Sequence, residues 1–534
     1  MTHSATASET PTARGPRSKV PHLKVAIIGS GFAGLGAAIR LERAGMPDYL
    51  VFEKAAEVGG TWRDNTYPGC ACDVPSHLYS FSFAPNPHWS RVYAPQAEIL
   101  EYLRRTARQF AILPKIAFET EVLSAAWNEG EGIWQLETSS GPFTAQYLIS
   151  GHGPLITPKW PDLPGLDSFG GVKFHSARWN HDASLEGKRV AVIGTGASAI
   201  QFVPAIAQQV EQMYVFQRSA PWVVPRPDRA FSDLEQEKFK RRPLTQLASR
   251  ASIFVTNELN YLGFTNPRME KVAMKVARDH LEKQVSDLEL RAKLTPNYRM
   301  GCKRILVSST FYPALSQPNV ELVTDKIVEV RPEGVLTADG VLREVDVLIC
   351  GTGYVATPPP IARIFTGVGG RSLAEVWGQS PTAYLGTTVS GLPNLFLLVG
   401  PNTALGHNSI VYMIESQLNY IIGCLEHMRR SGQQVFNVRP EAQKAYNAEI
   451  QAALERSVWV QGGCTSFYLD STGTNSTLWP GFAYQFKRRL SRFDPAAYTF
   501  EGLLEHQTNS SARDRSPKPS GRMSPLAVLE GQQP

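Results

Sequence analysis

The 534-residue sequence predicts an α/β fold that contains two similar units and a helical insert. Two stretches, starting at Lys24 and at Arg189, each show a buried-strand pattern, a glycine-rich turn, a helix and a second strand. Between Asp228 and Asn297 the strand patterns fade and charged, helix-forming residues take over. A chain of this length is expected to divide into two or three domains.

The first unit is a βαβ motif. Lys24–Gly29 (KVAIIG) is a nearly continuous apolar run, as expected for a strand buried on both faces of a parallel sheet. Small and apolar residues then recur at helical spacing in Gly31–Arg43, and Tyr49–Lys54 (YLVFEK) is predicted to be the second strand.

The turn of the first unit carries the glycine pattern of a dinucleotide site. Gly29, Gly31 and Gly34 form G-x-G-x-x-G between strand and helix. These glycines would allow the tight turn, the approach of a pyrophosphate and the close packing of helix on strand. Glu53 ends the next strand, where a carboxylate can accept hydrogen bonds from a ribose diol. We therefore predict a Rossmann-like nucleotide site rather than an ordinary turn.

The second unit repeats this order. Arg189–Gly194 (RVAVIG) is predicted to be a strand, Ala197–Val210 a helix and Gln212–Gln217 a strand. Pro204 lies inside the helix and is expected to kink it or to restrict its first turns.

The second turn reads G-x-G-x-x-A at Gly194, Gly196 and Ala199. The following strand ends without an acid, and Arg218 and Ser219 occupy that place. An arginine there can bind a 2′-phosphate, which predicts NADP rather than NAD, although Arg218 could also be an ordinary surface charge. A protein that binds both FAD and NADPH usually passes a hydride from nicotinamide to flavin.

The remaining chain supplies further elements. Val272, Ala273, Val276, Ala277 and Leu281 form an i, i+4 apolar stripe, which predicts a helical insert packed on the second domain. Later strands are predicted at Val320–Val323, Val345–Cys350 and Asn394–Val399, and a long helix at Ile410–Glu426. The predicted division is a disordered arm over 1–21, an FAD-binding domain over 22–150 and 385–505, an NADP-binding domain over 151–227 and 298–384, the helical insert over 228–297 and a disordered tail over 506–534.

Composition excludes several other classes of protein. Hydrophobic residues at 43% and charged residues at 19% are typical of a globular protein. The net charge of +6 is small, and the basic clusters at 238–242 and 487–489 are short, so no nucleic-acid partner is expected. No apolar run reaches the roughly 18 residues of a membrane span, and the first twenty residues lack the apolar centre of a signal peptide.

The six cysteines show no C-x-x-C pair and no metal-ligand spacing with histidine. We therefore expect reduced thiols in a cytoplasmic protein, and no metal site.

Two longer motifs resemble the fingerprints of flavin-dependent monooxygenases of the Baeyer–Villiger type, which are class B flavoprotein monooxygenases. One, here called the linker fingerprint, is Phe169-x-Gly171-x-x-x-His175-x-x-x-Trp179; the other is Gly60-x-Trp62-x-x-x-x-Tyr67-Pro68-Gly69-x-x-x-Asp73. The resemblance extends to Lys303-Arg304, Gly400–Glu415 and Thr465–Arg488, and covers about residues 22–495. Asn180 and Gly151-His152-Gly153 depart from the family pattern.

The resemblance implies an enzyme in which NADPH reduces FAD and one oxygen atom of O2 is inserted next to a ketone carbonyl, giving an ester or lactone. A flavin peroxide anion would be the nucleophile, and Arg304 would keep it charged. Asp73 would hold the guanidinium in place, and Lys303 would meet the NADP 2′-phosphate together with Arg218.

The resemblance also implies roles for other residues. The linker fingerprint shows little strand or helix character and would join the two nucleotide domains. Its histidine would assist domain motion, although a packed histidine without a special role remains an alternative. Gly171 would permit a backbone turn, and Phe169 and Trp179 would anchor the ends. The further FAD contacts would be Thr61, Trp62, Tyr79 and Val122, the further NADP contacts Thr195 and Ser198, and Asn408 and Met413 would lie near the isoalloxazine or the substrate.

Three other functions are weighed against this interpretation. A monooxygenase that oxygenates sulfur or nitrogen would share both nucleotide sites. A disulfide reductase would need a redox cysteine pair near the flavin, and the sequence shows none. A flavoprotein without catalysis would not need Arg304, Lys303, Arg218 and Asp73 together. The expected partners are a small-molecule ketone and O2, without membrane partners, and a monomer is expected; linear, cyclic, aromatic and steroidal ketones all stay open.

Overall fold

The computed structural model describes residues 20–355 and 359–502 and confirms the predicted α/β class. Two separate sheets with parallel central strands correspond to the two βαβ units. Residues 1–19 of the predicted arm and all of the predicted tail lie outside the described residues.

The first sheet has eight strands and forms around His22–Ile28. This strand pairs in parallel with Tyr49–Phe52 on one side and with Gly141–Ser150 on the other. Two antiparallel strands extend the sheet beyond Gly141–Ser150. In spatial order the strands are Phe365–Thr366, Val122–Asn128, Ile133–Thr138, Gly141–Ser150, His22–Ile28, Tyr49–Phe52 and Ile116–Ala117, and Leu395–Leu397 also pairs with Gly141–Ser150.

The second sheet has five strands, all parallel. In spatial order they are Val320–Val323, Gln212–Phe216, Arg189–Ile193, Val347–Cys350 and Val172–His175. The edge strand Val172–His175 belongs to the linker fingerprint, so the expectation of little strand character there was wrong. Val172–His175 pairs with Val347–Cys350, a partner far away in the chain that local sequence cannot reveal.

Three smaller sheets complete the strand inventory. They consist of Ile327–Arg331, Gly334–Thr337 and Leu342–Glu344; Val223–Val224 and Leu306–Val307; and Val435–Val438 and Tyr498–Glu501.

The α-helices outside the insert surround the sheets. They span Phe32–Arg43, Thr61–Asp64, Gln96–Gln109, Ala199–Ile206, Phe311–Leu315, Leu373–Trp377, Ile410–Ser431, Pro440–Leu454, Val458–Gln461 and Ala483–Arg489. The helix of the second unit is shorter than the predicted Ala197–Val210. It contains Pro204, which lacks an N–H donor, and it ends two residues later.

The insert contains five helices: Asp233–Arg241, Pro243–Asn260, Leu262–Thr265, Pro267–Gln284 and Leu288–Lys293. The predicted apolar stripe is only partly buried. Ala277 and Leu281 are 2% and 4% exposed, whereas Val272 and Val276 are 56% and 46% exposed. The helix packs through Ala273 and Ala277 onto Trp222 and Tyr298, which turns the two valines away from the contact.

One stretch pairs differently from the predicted division of the chain. The strand Phe365–Thr366 pairs with Val122–Asn128 of the first sheet. Phe365, Leu373 and Trp377 pack into the same core as Ala26 of that sheet. This part of the predicted NADP-binding segment 298–384 therefore lies with the first sheet, and the other boundaries stay predictions.

The expectation that all six cysteines are reduced was wrong. Cys302 and Cys464 form a disulfide bond across 162 residues of sequence. Folding brings the segment around Gly462 against Cys302, a proximity that sequence spacing does not show. The free cysteines Cys70, Cys72, Cys350 and Cys424 are all buried.

Within residues 20–355 and 359–502, no helix combines the length and apolar character needed to cross a bilayer. The same residues contain no group of three or more His, Cys, Asp or Glu side chains placed to hold a metal ion.

Candidate active site

The first glycine-rich turn connects the strand His22–Ile28 to the helix Phe32–Arg43. Gly29 has φ +88°, a left-handed conformation that favours glycine. A Cβ atom on Gly34 would lie 1.8 Å from the carbonyl oxygen of Gly29, so only glycine lets the helix pack this closely. Gly31 begins the helix without a side-chain cap, which leaves the first N–H groups for an anionic ligand.

Glu53 is buried at the end of the second strand, with 4% exposure. Its Oε2 atom accepts hydrogen bonds from the backbone N–H of Ser30 at 2.9 Å and from the Ser30 hydroxyl at 2.7 Å. Its Oε1 atom accepts from the backbone N–H of Ala55 at 3.0 Å and from Arg63 at 2.9 Å. A ribose hydroxyl would replace one of the two side-chain donors, Ser30 or Arg63.

A series of contacts leads from the first turn to the proposed chemical centre. A Cβ atom on Gly60 would lie 3.2 Å from Cα of Gly31, so the two glycines are in close contact. Gly60 precedes the short helix Thr61–Asp64. In that helix, the Nε1–H of Trp62 donates a hydrogen bond to the hydroxyl of Tyr79 at 3.2 Å. The predicted FAD contacts Thr61, Trp62 and Tyr79 therefore form a continuous surface with the first turn.

Val122 lies apart from this series of contacts. It begins the strand Val122–Asn128 and is 7% exposed, paired with Thr138 across an irregular register. Its predicted contact with adenine stays a prediction.

The second glycine-rich turn has a similar geometry. Gly194 has φ +104°, and a Cβ atom there would lie 2.7 Å from the carbonyl oxygen of Gly351. A Cβ atom on Gly196 would meet nothing within 4 Å, so the space beside it is open to a ligand. Ser198 caps the helix Ala199–Ile206 without a side-chain hydrogen bond, and Thr195 lies buried in the turn.

Two cations lie together near this turn. Lys303 Nζ donates a hydrogen bond to the Ser219 hydroxyl at 2.7 Å. Burial lowers the pKa of Lys303, and the positive charge of Arg218 lowers it further. Among the described residues, neither cation forms a salt bridge with a carboxylate. A pair of cations and a hydroxyl without a counter-charge fits a phosphate group.

Arg304 and Asp73 form an ion pair across 231 residues of sequence. The guanidinium Nη2 donates a hydrogen bond to the Oδ2 atom of Asp73. The side chains are 43% and 30% exposed, so the pair borders space that a ligand can enter. Lys303 and Arg304 are neighbours in the chain, and they contact Ser219 and Asp73 respectively.

Each member of this ion pair shifts the pKa of the other towards its charged form. Burial alone would raise the pKa of Asp73, but the Arg304 guanidinium outweighs burial and lowers it. In turn, Asp73 raises the pKa of Arg304 against the effect of burial. The pair therefore keeps a fixed cation and a fixed anion at any working pH.

Sequence reasoning missed two residues at this centre. Tyr468 is 4% exposed, and after Asp73 its charge interaction also raises the pKa of Arg304. Burial raises the pKa of Tyr468 itself to about 12. Arg226 donates to the carbonyl oxygens of Cys72 and Tyr93 at 3.4 Å and holds the backbone next to Asp73. Only the quoted stretch Thr465–Arg488 pointed towards Tyr468, and no sequence signal pointed to Arg226.

The second family motif contacts the second unit. Tyr67 donates a hydrogen bond to the Gln201 side chain at 3.0 Å, and Gln201 donates to the carbonyl oxygen of Ala71 at 3.0 Å. A Cβ atom on Gly69 would lie 2.6 Å from the carbonyl oxygen of Gln201. The motif that carries Asp73 is thus held against the helix Ala199–Ile206.

The linker fingerprint is placed by packing. Phe169 is 8% exposed, and Trp179 packs against Phe174 and Phe202 with ring centroids 5.0 Å and 5.3 Å away. A Cβ atom on Gly171 would lie 2.3 Å from the carbonyl oxygen of Asp346. Gly171 lies in a bend of the backbone without a positive φ, so glycine is needed there for this close approach.

His175 is 1% exposed, and its Nδ1 atom accepts a hydrogen bond from the backbone N–H of Ala177 at 3.1 Å. Burial lowers the pKa of His175 to about 4, so the imidazole is neutral near neutral pH. These contacts place the ring firmly without identifying a role for it in domain motion.

The departures from the family pattern have local explanations. A Cβ atom on Gly151 would lie 2.9 Å from the backbone nitrogen of Gly34, so this position needs glycine. His152 forms a hydrogen bond to the Ser150 hydroxyl at 3.0 Å, and burial lowers its pKa to about 4. Asn180 accepts a hydrogen bond from the backbone N–H of Asp182 at 3.1 Å and closes a turn.

The segment Gly400–Glu415 contacts the helical insert at several points, one of which is a buried carboxylate. Glu258 is 7% exposed and accepts hydrogen bonds from Asn408 at 2.7 Å and from the backbone N–H groups of Ala483 and Tyr484 at 3.0 Å and 3.2 Å. Met413 is fully buried in the main core.

The donor sets fit both predicted cofactors. The first turn offers uncapped helix N–H groups, an acid and an aromatic surface, as FAD requires. The second offers open space at Gly196 and two cations beside it, as the 2′-phosphate of NADP requires.

Comparison with known proteins identifies the relatives of this chain. Residues 22–362 match the model of the family described as FMO-like, flavin-binding monooxygenase-like. A Baeyer–Villiger monooxygenase of Streptomyces coelicolor is 48% identical over 89% of this chain and 92% of that protein. A Baeyer–Villiger monooxygenase of Pseudomonas aeruginosa is 49% identical over 89% of this chain and 91% of that protein.

Solved structures of monooxygenases also resemble this chain over most of its length. Cyclohexanone monooxygenase from Rhodococcus sp. Phi1, bound to NADP+, has a TM-score of 0.82 at 28% identity, covering 91% of this chain and all of that chain. OTEMO in complex with FAD and NADP has a TM-score of 0.81 at 28% identity, covering 90% of this chain and all of that chain. A steroid monooxygenase bound to NADP has a TM-score of 0.79 at 30% identity, covering 90% of this chain and 99% of that chain.

Proposed function

This chain belongs to the flavin-binding monooxygenase-like family, and from that premise we propose how its residues carry out a Baeyer–Villiger oxygenation. The reaction inserts one oxygen atom from O2 next to a ketone carbonyl and gives an ester or lactone, with NADPH as the reductant. Bound FAD supplies the redox chemistry, because it accepts the electrons of NADPH and activates O2.

The Arg304–Asp73 ion pair is the observation that carries the residue-level proposal. It lies where the contacts from Gly60 through Trp62 and Tyr79 end, next to the surface proposed for FAD. There the guanidinium stabilises negative charge that develops on oxygen during the reaction. Asp73 keeps Arg304 charged and fixes its direction, so the stabilising cation is in place before substrate arrives.

Lys303, Arg218 and Ser219 bind the 2′-phosphate of NADPH. The hydrogen bond from Lys303 to Ser219 directs the ammonium towards the second turn, where Arg218 adds a second charge. Because Lys303 directly precedes Arg304, one short segment meets the reductant and the reacting oxygen with adjacent side chains.

The other two enzymatic functions considered, oxygenation of sulfur or nitrogen and disulfide reduction, have less support. Oxygenation of sulfur or nitrogen shares the nucleotide sites, but the relatives at 48% and 49% identity are ketone-type oxygenases by name. A disulfide reductase needs a redox cysteine pair near the flavin, and the bond between Cys302 and Cys464, 162 residues apart, is not the C-x-x-C pair of such an enzyme. Membership of the monooxygenase family also argues against that alternative.

We propose cyclic ketones as the substrate class to test first, because the solved relatives include a cyclohexanone and a steroid monooxygenase. We also propose a cytoplasmic monomer, as the sequence predicted.

The test replaces Arg304 in the holoenzyme and measures ester by mass spectrometry alongside NADPH oxidation. Arg304→Ala should retain FAD and consume NADPH slowly, while ester formation falls by at least about 100-fold, since one preorganised charge is lost. Arg331→Ala, which removes an arginine paired only with exposed Glu329, is the control and should behave as the parent. Normal ester yield from Arg304→Ala would refute the assigned role.

A further inference from the structure

We propose that the disulfide bond between Cys302 and Cys464 positions Arg304, so that oxygenation depends on the redox state of this cysteine pair. The inference rests on the function proposed for Arg304 and adds a positioning element to it. Neither cysteine contacts the ion pair as part of the chemistry.

The bond joins the two segments that supply the centre from opposite ends of the sequence. Cys302 immediately precedes Lys303 and Arg304. Cys464 lies four residues before the buried Tyr468, and the nearby carbonyl oxygen of Gly462 accepts a hydrogen bond from the backbone N–H of Arg299 at 3.2 Å. The crosslink therefore ties the segment bearing both cations to the segment bearing the buried phenol.

Noncovalent contacts also restrain the segment 298–304, among them the ion pair of Arg299 with Glu270. The segment lies outside regular secondary structure and reaches the short strand Leu306–Val307 only after Arg304. The backbone N–H of Arg299 donates to the carbonyl oxygen of Gly462 at 3.2 Å, and Trp222 donates to the carbonyl oxygen of Tyr298 at 2.9 Å. Nearer to Arg304, Lys303 donates to the Ser219 hydroxyl and the backbone N–H of Leu306 donates to the carbonyl oxygen of Trp222 at 2.9 Å. Among these restraints the disulfide is the covalent one, and it lies two residues before Arg304.

The backbone packs closely around the Cys302–Cys464 disulfide bond. A Cβ atom on Gly462 would lie 2.4 Å from Cβ and 2.7 Å from Sγ of Cys302. A Cβ atom on Gly301 would lie 2.6 Å from the ring of Phe264. Two glycines thus admit the crosslinked backbone at close distance. Arg304 is 43% exposed, so its position depends on its backbone and on Asp73 more than on surrounding side chains.

The bond can be reached by a thiol. Cys302 is 1% exposed, but Cys464 is partly exposed. A thiolate of an external dithiol would attack the Cys464 sulfur and release Cys302 as a thiolate, which takes up a proton. The second thiol of the reagent then displaces Cys464, which leaves two protein thiols and the oxidised, cyclic reagent. Two electrons and two protons pass from reagent to protein.

The other four cysteines are not expected to contribute to the effect of a dithiol on activity. Cys70, Cys72, Cys350 and Cys424 are free and buried. Burial raises the pKa of Cys70 to about 11 and that of Cys350 to about 12, so these thiols carry little thiolate.

The test treats the purified holoenzyme with dithiothreitol and measures ester formed per NADPH oxidised, together with bound FAD. Peptide mass mapping should first find the Cys302–Cys464 crosslink in the untreated enzyme. Reduction should lower ester per NADPH by about 10-fold or more, because a small displacement of a catalytic charge is costly. Bound FAD should be retained, and reoxidation should restore coupling.

Cysteine variants distinguish a loss of the Arg304 position from a general loss of folding. Cys302→Ser with Cys464→Ser should match the reduced enzyme and lose its response to dithiothreitol. Cys424→Ala is the matched control and should keep the full response. Six thiols in the untreated enzyme, or a double-serine variant with parental coupling, would overturn the inference. If Arg304→Ala also made ester normally, the proposed function would fail with it; if only the crosslink tests failed, Arg304 would keep its role.

Discussion

At the residue scale, adjacent side chains separate two tasks. Lys303 binds Ser219 beside the second glycine-rich turn, and Arg304 binds Asp73 beside the surface proposed for FAD. An ammonium suits a phosphate as a compact charge, and a guanidinium that never loses its proton suits a centre that must stay cationic. Under the proposed roles, the order of the two cations in the chain links reductant binding to oxygen chemistry.

The preference for NADPH follows from two of these residues. Arg218→Ala combined with Lys303→Ala should raise KM for NADPH by roughly 10- to 100-fold, because charge-assisted hydrogen bonds to the 2′-phosphate are lost. KM for NADH, which lacks that phosphate, should change little. Steady-state kinetics with both reductants measures the ratio, with exposed Lys326→Ala as the control. An equal change for both reductants would contradict the assignment.

At the element scale, the helical insert is held to the rest of the molecule by two buried charges. Arg250 donates to the carbonyl oxygens of His77 and Ser80, both at 2.9 Å, and lies 3.8 Å from Glu415. Glu258, on the same helix, accepts hydrogen bonds from Asn408 and from the backbone N–H of Ala483, which belong to two other segments. Both charges lie on Pro243–Asn260, so this helix fixes the position of the insert.

Removing the Glu258 carboxylate should loosen that attachment. Glu258→Ala leaves Asn408 and two backbone N–H groups without their acceptor, which should cost roughly 3 kcal/mol of unfolding free energy. Urea unfolding measures the loss. Glu282→Ala, at an exposed position of the insert, is the control and should stay within about 0.5 kcal/mol of the parent. Equal stability of the two variants would show that the carboxylate contributes nothing.

At the scale of the whole molecule, two segments connect the first sheet with the second unit. The segment containing Tyr67 and Gly69 leaves the first sheet and packs against Gln201 of the second unit. The segment containing Lys303 and Arg304 returns from the second unit towards Asp73. Contacts of this kind join distant segments, and under the proposed function they bring both cofactor sites to one reacting centre.

Buried histidines should make global stability depend on pH. His77 is 2% exposed, and burial, with a smaller effect from Arg250, lowers its pKa to about 4. In the unfolded chain the pKa would be about 6.5, so between these values the unfolded state binds more protons. Unfolding free energy should therefore fall as pH drops from about 6.5 to about 4, by on the order of 3 kcal/mol for this residue.

The measurement compares the parent with His77→Gln by urea unfolding at about pH 7 and about pH 5. The variant should be less stable near neutral pH but should lose less on acidification, because one titrating group is gone. Parallel losses in both proteins would show that His77 does not contribute.

Local signals were sufficient for much of the architecture. The strands at 22–28 and 189–193, their helices and the glycine at position 34 follow from apolar runs and short spacing, which depend on neighbours in the chain. The family fingerprints likewise indicate the reaction and both cofactors from the sequence alone.

Tertiary structure alone decided what depends on distant partners. Residues far apart in sequence pair at Cys302 and Cys464, at Arg226 and Cys72, and at the edge strand Val172–His175. The outward direction of Val272 and Val276 also depends on which neighbour the helix packs against. Periodicity and spacing report what a segment prefers by itself, whereas these contacts arise only when packing brings separate segments together.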